Sequence, residues 1–305
     1  MYQSHAKQEF LFDKIAFTFP VKINHRLKVL GALSNEALNK KFNVRTHKDG
    51  KGRYKNNYTI QPYGKSKVFV SAYPKNKHDN FIRVEFNPAA LSRMEKIGLR
   101  DYLIQVLGLK LVKSIYFDCR VTRLDLTVDI YQAYQDIYVY KPSAKHSDIY
   151  RDESGRMMSH IVGSDASDCR ITLYNKTVEQ GESDESYVGA GTRLEVRLRN
   201  LDCSMANLDD ALMGSIQTLK FYLPQLLDDQ YVPDELSEII YLTGLNAAFT
   251  NHCDSNQRRC FLRHIEDYAF ELVDHSQLDF YRTHNDSLRF LVSKSYKAKL
   301  GYIKL

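Results

Sequence analysis

From Arg120 to Ile130 the chain alternates without a break. Leu124, Leu126, Val128 and Ile130 fall on one side, and Arg123, Asp125, Thr127 and Asp129 on the other. A period of two predicts a strand with one buried face, because successive side chains leave a pleated backbone on opposite sides. Residues 169–176 repeat the pattern, with Thr172, Tyr174 and Lys176 opposite Ile171 and Leu173. Residues 192–199 do so again, with Leu194, Val196 and Leu198 inward and Arg193, Glu195, Arg197 and Arg199 outward. Residues 14–21, 54–61, 67–72 and 81–86 also have strand character, punctuated by the turn-prone Asp49-Gly50 and Tyr63-Gly64.

Asn87 and Pro88 open a helix predicted over 89–107. From residue 201 the apolar positions return every three to four residues, which predicts helices at 208–227, 234–242, 258–273 and 288–300. The expected fold class is therefore α+β: an antiparallel β-sheet domain with flanking helices over 1–200, followed by a helical region over 201–305. No strict repeat or low-complexity tract interrupts it.

Composition sharpens this picture in a few places. A chain of 305 residues with 43% hydrophobic content has enough apolar side chains for one large or two modest cores. The absence of an eighteen-residue apolar run argues against a membrane span, and the opening residues lack a signal pattern. Five widely spaced cysteines fit a reducing compartment, so a cytoplasmic location is expected. The net charge of +6 says little by itself. Its distribution says more: eleven Lys or Arg lie between Lys40 and Lys77, Lys51, Arg53 and Lys55 among them, interleaved with Tyr54, Tyr58, Tyr63 and Tyr73. Such a segment neutralises phosphates and stacks on unpaired bases, or is simply a solvated hairpin.

If the three alternating strands share one antiparallel sheet, their polar faces join carboxylates, a tyrosine, a lysine and several arginines. Two chemistries fit that set. One is a ladder of surface ion pairs. The other is a phosphodiester site, in which carboxylates hold Mg²⁺ or Mn²⁺, a tyrosine attacks phosphorus and cations stabilise the added charge. The chain has no phosphate-binding Gly-x-x-x-x-Gly-Lys loop, dinucleotide fingerprint or Gly-x-Ser-x-Gly elbow. Nor does it contain a His-hydrophobic-His pair; His160 is the best isolated histidine candidate, although a strand-surface role suits it better. His252, Cys253, Cys260 and His264 lack the close Cys pair of a structural zinc site.

The same three segments, in order, resemble the signature blocks of the replication initiation factor family, which includes rolling-circle plasmid initiators and relatives of the filamentous-phage gene II replication protein. The matching residues are Arg123-Leu-Asp125 with Asp129; Gly163-Ser164 followed by Tyr174-Asn-Lys176-Thr-Val-Glu179; and Arg193-Leu-Glu195-Val-Arg197. The opening residues 13–20 and the segment 85–91 also look like family elements, so the resemblance covers roughly residues 10–200. It implies a catalytic nicking domain over 1–200 and an accessory or origin-binding region over 201–305.

The resemblance further implies metal-dependent nicking and rejoining of single-stranded or hairpin-extruded origin DNA through a 5′-phosphotyrosine intermediate. Tyr174 would be the nucleophile and Lys176 would contact the scissile phosphate. Asp125 and Glu195 would lead the metal ligands, with Asp129 and Glu179 as further ligands. Arg123, Arg193, Arg197, Lys51, Arg53 and Lys55 would bind DNA. Host helicase and polymerase, and a second copy of the chain, are the implied partners, with no role for a membrane. Arg258, Arg259, Arg263, Lys294, Lys297, Lys299 and Lys304 offer phosphate contacts from the C-terminal helices, if they are not merely the solvated faces of amphipathic helices. Two rival functions remain: a non-enzymatic origin- or operator-binding protein, and a metal-dependent phosphodiesterase that uses water.

Overall fold

A computed structural model of the protein describes residues 7–47, 54–76, 81–181, 189–274, 283 and 287–291. Along the chain run β1 (Gln8–Pro20), α1 (Arg26–Leu33), α2 (Glu36–Lys41), β2 (Arg45–His47), β3 (Tyr54–Ile60), β4 (Val68–Pro74) and β5 (Phe81–Phe86). Next come α3 (Arg93–Leu107), α4 (Leu109–Asp118), β6 (Arg120–Ile130), β7 (Tyr138–Tyr140), β8 (Ser147–Arg151), β9 (Met157–Val162) and β10 (Cys169–Asn175). The remainder is α5 (Lys176–Gly181), β11 (Thr192–Cys203), α6 (Leu208–Ile216), β12 (Lys220–Tyr222), α7 (Asp234–Thr243), α8 (Leu245–His252), α9 (Ser255–His264) and β13 (Ala269–Phe270). The class is α+β, with antiparallel sheet flanked by helices, as the sequence pattern predicts.

The chain divides into two compact units, each discontinuous in sequence. One comprises residues 12–125, 200–211 and 280–305. Here β2, β3, β4, β5 and β1 are neighbours in that order, and Val70 pairs with Val84 and Phe17 with Val84 across successive ladders. Helix α3 starts at Arg93 rather than at residue 89. Ser92 caps it by accepting from the Glu95 N–H, while the Glu95 carboxylate accepts from the Ser92 N–H. Glu95 also accepts from the Ser66 N–H at 2.8 Å, and these bonds overcome its burial to hold its pKa down at about 2. Gly108, at φ +85°, ends α3, a conformation that favours glycine.

The other unit comprises residues 1–11, 126–199 and 212–279. Its main sheet runs β6, β11, β10, β9, β8, and a second sheet runs β13, β12, β7. Helices α7 and α8 contribute Leu236, Ile240, Leu245 and Phe249 to a core with Tyr138, Tyr140 and Met157. Asn246, almost fully buried, ties α8 to the chain after β7, donating to the Lys141 and Ala144 carbonyls at 2.7 and 2.9 Å.

The helices expected over 208–227 and 258–273 are shorter than their periodicity suggested. The first stops at Ile216, and Lys220–Tyr222 becomes a strand paired with β7 and β13. The second stops at His264, tightens into a 3₁₀ turn over Ile265–Tyr268 and then enters β13. In both segments cross-strand pairing overrides a helix-compatible pattern. Of 288–300, residues 289–291 form a single 3₁₀ turn, and 292–300 lie outside the described residues. No helix among the described residues is long and apolar enough to cross a membrane.

His160 sits on the core side of β9, opposite Leu173 of β10, and is fully buried. Its Nδ1 accepts from the Val139 N–H at 3.1 Å, so it is a core histidine and not the surface candidate. Burial pushes its pKa down to about 4. At neutral pH it is uncharged both folded and unfolded. Below about pH 6.5 the unfolded chain takes up a proton that the folded chain refuses, so stability falls until about pH 4. The expected loss is up to about 3 kcal/mol. Denaturant unfolding at pH 7.5 and pH 5 should show about 2 kcal/mol of it, and a His160→Gln variant should lose that part of the pH dependence.

Candidate functional site

The β10–β11 ladder sets the site. Tyr174 lies directly across from Arg193, and Thr172 across from Glu195. Directly opposed residues share a face, so all four side chains emerge together while Ile171, Leu173, Leu194 and Val196 are fully buried on the other side. The Tyr174 hydroxyl donates to Glu195 Oε1 at 3.0 Å. Arg193 makes a two-pronged bond to both carboxylate oxygens of Asp129 on β6. Side-chain exposures of 17% and 11% make this pair largely desolvated.

The electrostatics follow from that packing. Burial and the Glu195 charge push the Tyr174 phenol up, while the Arg193 guanidinium works against the rise. Burial disfavours the Arg193 cation, yet the Asp129 bonds outweigh it and hold its pKa above the usual guanidinium value. The site thus holds an un-ionised tyrosine with a carboxylate in position to receive its proton and a fixed cation beside it.

Lys176 differs from the expectation. Strand periodicity puts it beside Tyr174 on β10, but the strand ends at Asn175, whose side chain accepts from the Val178 N–H at 3.1 Å and starts α5. Lys176 opens that helix, is buried, and bonds Glu179. Its ammonium still lies over the Tyr174 ring, 5.9 Å from the centroid. Burial raises the Glu179 pKa, but the Lys176 bond and charge outweigh that and lower it.

The Gly163-Ser164 pair makes the turn from β9 to β10. Gly163 has φ +90°, and an added Cβ would stand 2.6 Å from the Cys169 carbonyl oxygen. The Ser164 N–H then donates to Ser167 Oγ at 2.9 Å. Gly163→Ala should therefore cost about 1–3 kcal/mol or more of stability, measured by denaturant unfolding, and should disturb the strand that carries Tyr174.

The remaining candidates are distributed. Asp125 and Arg123 belong to the other compact unit and pair with each other, the Arg123 Nε donating to Asp125 at 2.8 Å. Arg197 is within 3.7 Å of the Asp165 carboxylate. Lys55 is exposed on β3, whereas Lys51 and Arg53 lie outside the described residues, as do Lys294, Lys297, Lys299 and Lys304. Arg258, Arg259 and Arg263 of α9 line an open groove with Lys220 and Tyr140. Sequence reasoning missed the Asp129–Arg193 clamp, which needs the order of strands in the sheet, a property that alternation does not encode.

Asp125, Asp129 and Glu179 each hold a cationic side chain, and Glu195 accepts the hydrogen bond of the Tyr174 hydroxyl. Among the described residues, no three His, Cys, Asp or Glu side chains form a group suited to a metal ion. The donor set as placed therefore does not fit Mg²⁺ or Mn²⁺. Nor do Cys253, Cys260, His252 and His264 gather as a zinc site; His264 instead stacks on Tyr231 with ring centroids 4.2 Å apart.

The fold is α+β, with an antiparallel sheet that brings Tyr174, Glu195 and Arg193 to one face. Comparison with known proteins agrees with the resemblance carried by the motifs. The chain is 30% identical over 139 residues to a replication initiation protein of Staphylococcus aureus, covering 44% of this chain and 41% of that one. It is also 30% identical over 121 residues to a second S. aureus replication initiation protein, covering 38% of this chain and 36% of the relative. The matches thus span about two fifths of these relatives' length. A rolling circle replication initiator protein from Geobacillus stearothermophilus aligns with 86% of this chain and 97% of its own, at 19% identity and a TM-score of 0.42. No protein-family model matches the chain.

Proposed function

We propose that the protein is a rolling-circle replication initiator that nicks and rejoins origin DNA through Tyr174. The observation that carries this reading is the Tyr174 hydroxyl donating to Glu195 beside the Arg193 guanidinium. The Tyr174 oxygen attacks phosphorus and passes its proton to Glu195. The bond from phosphorus to the 3′ oxygen breaks, and that oxygen leaves as a 3′-hydroxyl after taking up a proton. The 5′ phosphate stays on Tyr174. Attack by a later 3′-hydroxyl reverses the sequence and joins strands. Arg193, and Lys176 over the tyrosine ring, stabilise the charge that builds on the phosphoryl oxygens.

Mg²⁺ or Mn²⁺ enters the proposal through the family resemblance, not through the present donor geometry. Asp129, Glu179 and Glu195, on the unit that carries Tyr174, would have to exchange their present partners to hold it. When bound, such an ion would supply positive charge at the phosphate. The 3′-hydroxyl is the primer for a host polymerase, and unwinding is assigned to a host helicase.

Single-stranded oligonucleotides tiling the origin, incubated with the protein and Mn²⁺ or Mg²⁺, test this reading on a denaturing gel. The expected result is a covalent protein–DNA band together with a fragment that a polymerase extends. Specific binding without cleavage would make the protein an origin-binding factor. Cleavage without an adduct would make it a phosphodiesterase that uses water.

A further inference from the structure

Three registers place one row of side chains across four strands. Tyr150 of β8 is opposite Ser159 of β9, Ser159 is opposite Tyr174 of β10, and Tyr174 is opposite Arg193 of β11. Opposed residues share a face, so Tyr150 emerges on the same side as Tyr174. Strands are about 4.8 Å apart, which puts the two tyrosines about 10 Å apart along the row. Ser159, a small residue, stands between them.

Tyr150 is 56% exposed, among the most exposed aromatic side chains of the described residues. Its neighbour Arg151 turns inward, 3.6 Å from the Tyr241 ring centroid, and donates to the Gly155 carbonyl at 2.8 Å. The ladder is irregular between Tyr150 and Arg151, and such bulges re-aim side chains at sheet edges and beside functional sites. The chain is thus anchored one residue after an aromatic ring held out to solvent. Nothing in the nicking chemistry uses that ring.

We propose that Tyr150 is a base-stacking platform that fixes the register of single-stranded DNA at Tyr174, its ring receiving an unpaired base one to three nucleotides from the scissile phosphate. This deepens the nicking proposal and rests on it for the meaning of the register. Stacked nucleotides rise about 3.4 Å each, so a 10 Å separation spans up to three of them and fewer when the strand is extended. An exposed aromatic face binds any unpaired base and rejects a paired one. Arg193 at the far end of the row supplies charge complementary to phosphate. The bound strand would run across β8, β9 and β10.

Two measurements separate this idea from the nicking proposal. The first uses Tyr174→Phe protein, which is incapable of forming an adduct, and a series of oligonucleotides with one abasic position each. Wild-type Tyr150 should show weakened binding, roughly tenfold, at an abasic position one to three nucleotides from the nick. Tyr150→Ala should bind the intact strand roughly tenfold more weakly and show no further loss at that position, while Tyr150→Trp restores both. Binding is read without cleavage: an abasic-sensitive position that disappears in Tyr150→Ala reports stacking even where no nick forms, and the wild-type nick supplies the count of one to three nucleotides. In the second, with Tyr174 intact, Tyr150→Ala should raise KM by a similar factor and change kcat by less than about threefold. Because Tyr150 is exposed, the variants should keep the thermal stability of the parent protein. An abasic profile unchanged by Tyr150→Ala, or a fall in kcat with KM constant, overturns the platform.

Discussion

Tyr174→Phe is expected to bind origin DNA with near-normal, salt-sensitive affinity while forming no covalent adduct and supporting no rolling-circle replication. The substitution removes one oxygen and keeps the ring that packs under the Lys176 ammonium. The hydrogen bond lost is the one donated to Glu195, a charge-assisted bond worth about 1.5–3 kcal/mol. Glu195 is only half-buried, so water can take over part of that role and the fold should survive. Binding survives because phosphate contacts come mainly from Lys and Arg. Chemistry does not, because the attacking atom is gone. Tyr187→Phe, at a position outside the described residues, should stay active.

The second large effect is on stability. Asp129→Ala or Arg193→Ala leaves one member of a largely desolvated ion pair without its partner, and each should cost about 3–5 kcal/mol in denaturant unfolding. Replacing both, as Asp129→Leu with Arg193→Met, should recover much of that loss, because an apolar pair of similar size avoids burying charge. The double variant should nevertheless nick poorly, since Arg193 is the cation facing Tyr174. Single variants that cost less than about 1 kcal/mol would mean that the pair behaves as a screened surface bridge. They would leave Asp129 free to serve as a metal ligand, as the family resemblance implies.

The two predictions rest on elements of differing legibility. β6, β10 and the start of β11 could be read from alternation, because each buries one face and exposes the other. That alternation also put Tyr174, Arg193 and Glu195 on one side. It failed at Lys176, where Asn175 caps a helix that interrupts the period. It put His160 on the surface of a strand, whereas His160 occupies a core position of β9 that pattern reading assigns to an apolar residue. β12 and β13 are three and two residues long, too short for any period to register, and exist through pairing with partners distant in sequence. The start of α3 was legible in principle, since Ser92-Arg-Met-Glu95 is a capping box, but Pro88 drew the boundary too early.

The Tyr174–Glu195 bond and the Asp129–Arg193 clamp depend on register and strand order. Sequence can narrow the participants by type and phase, but it cannot name which arginine meets which carboxylate.

The account turns on one atom, the Tyr174 oxygen, and mass-spectrometric mapping of the protein–DNA adduct addresses it most directly. Wild-type protein is reacted with a single-stranded origin oligonucleotide, digested with protease and nuclease, and sequenced. The account predicts a single modified peptide carrying a 5′-linked nucleotide on Tyr174, with a free 3′-hydroxyl on the released strand. A nucleotide on any other tyrosine, or cleavage that leaves a free 5′-phosphate and unmodified protein, would contradict it.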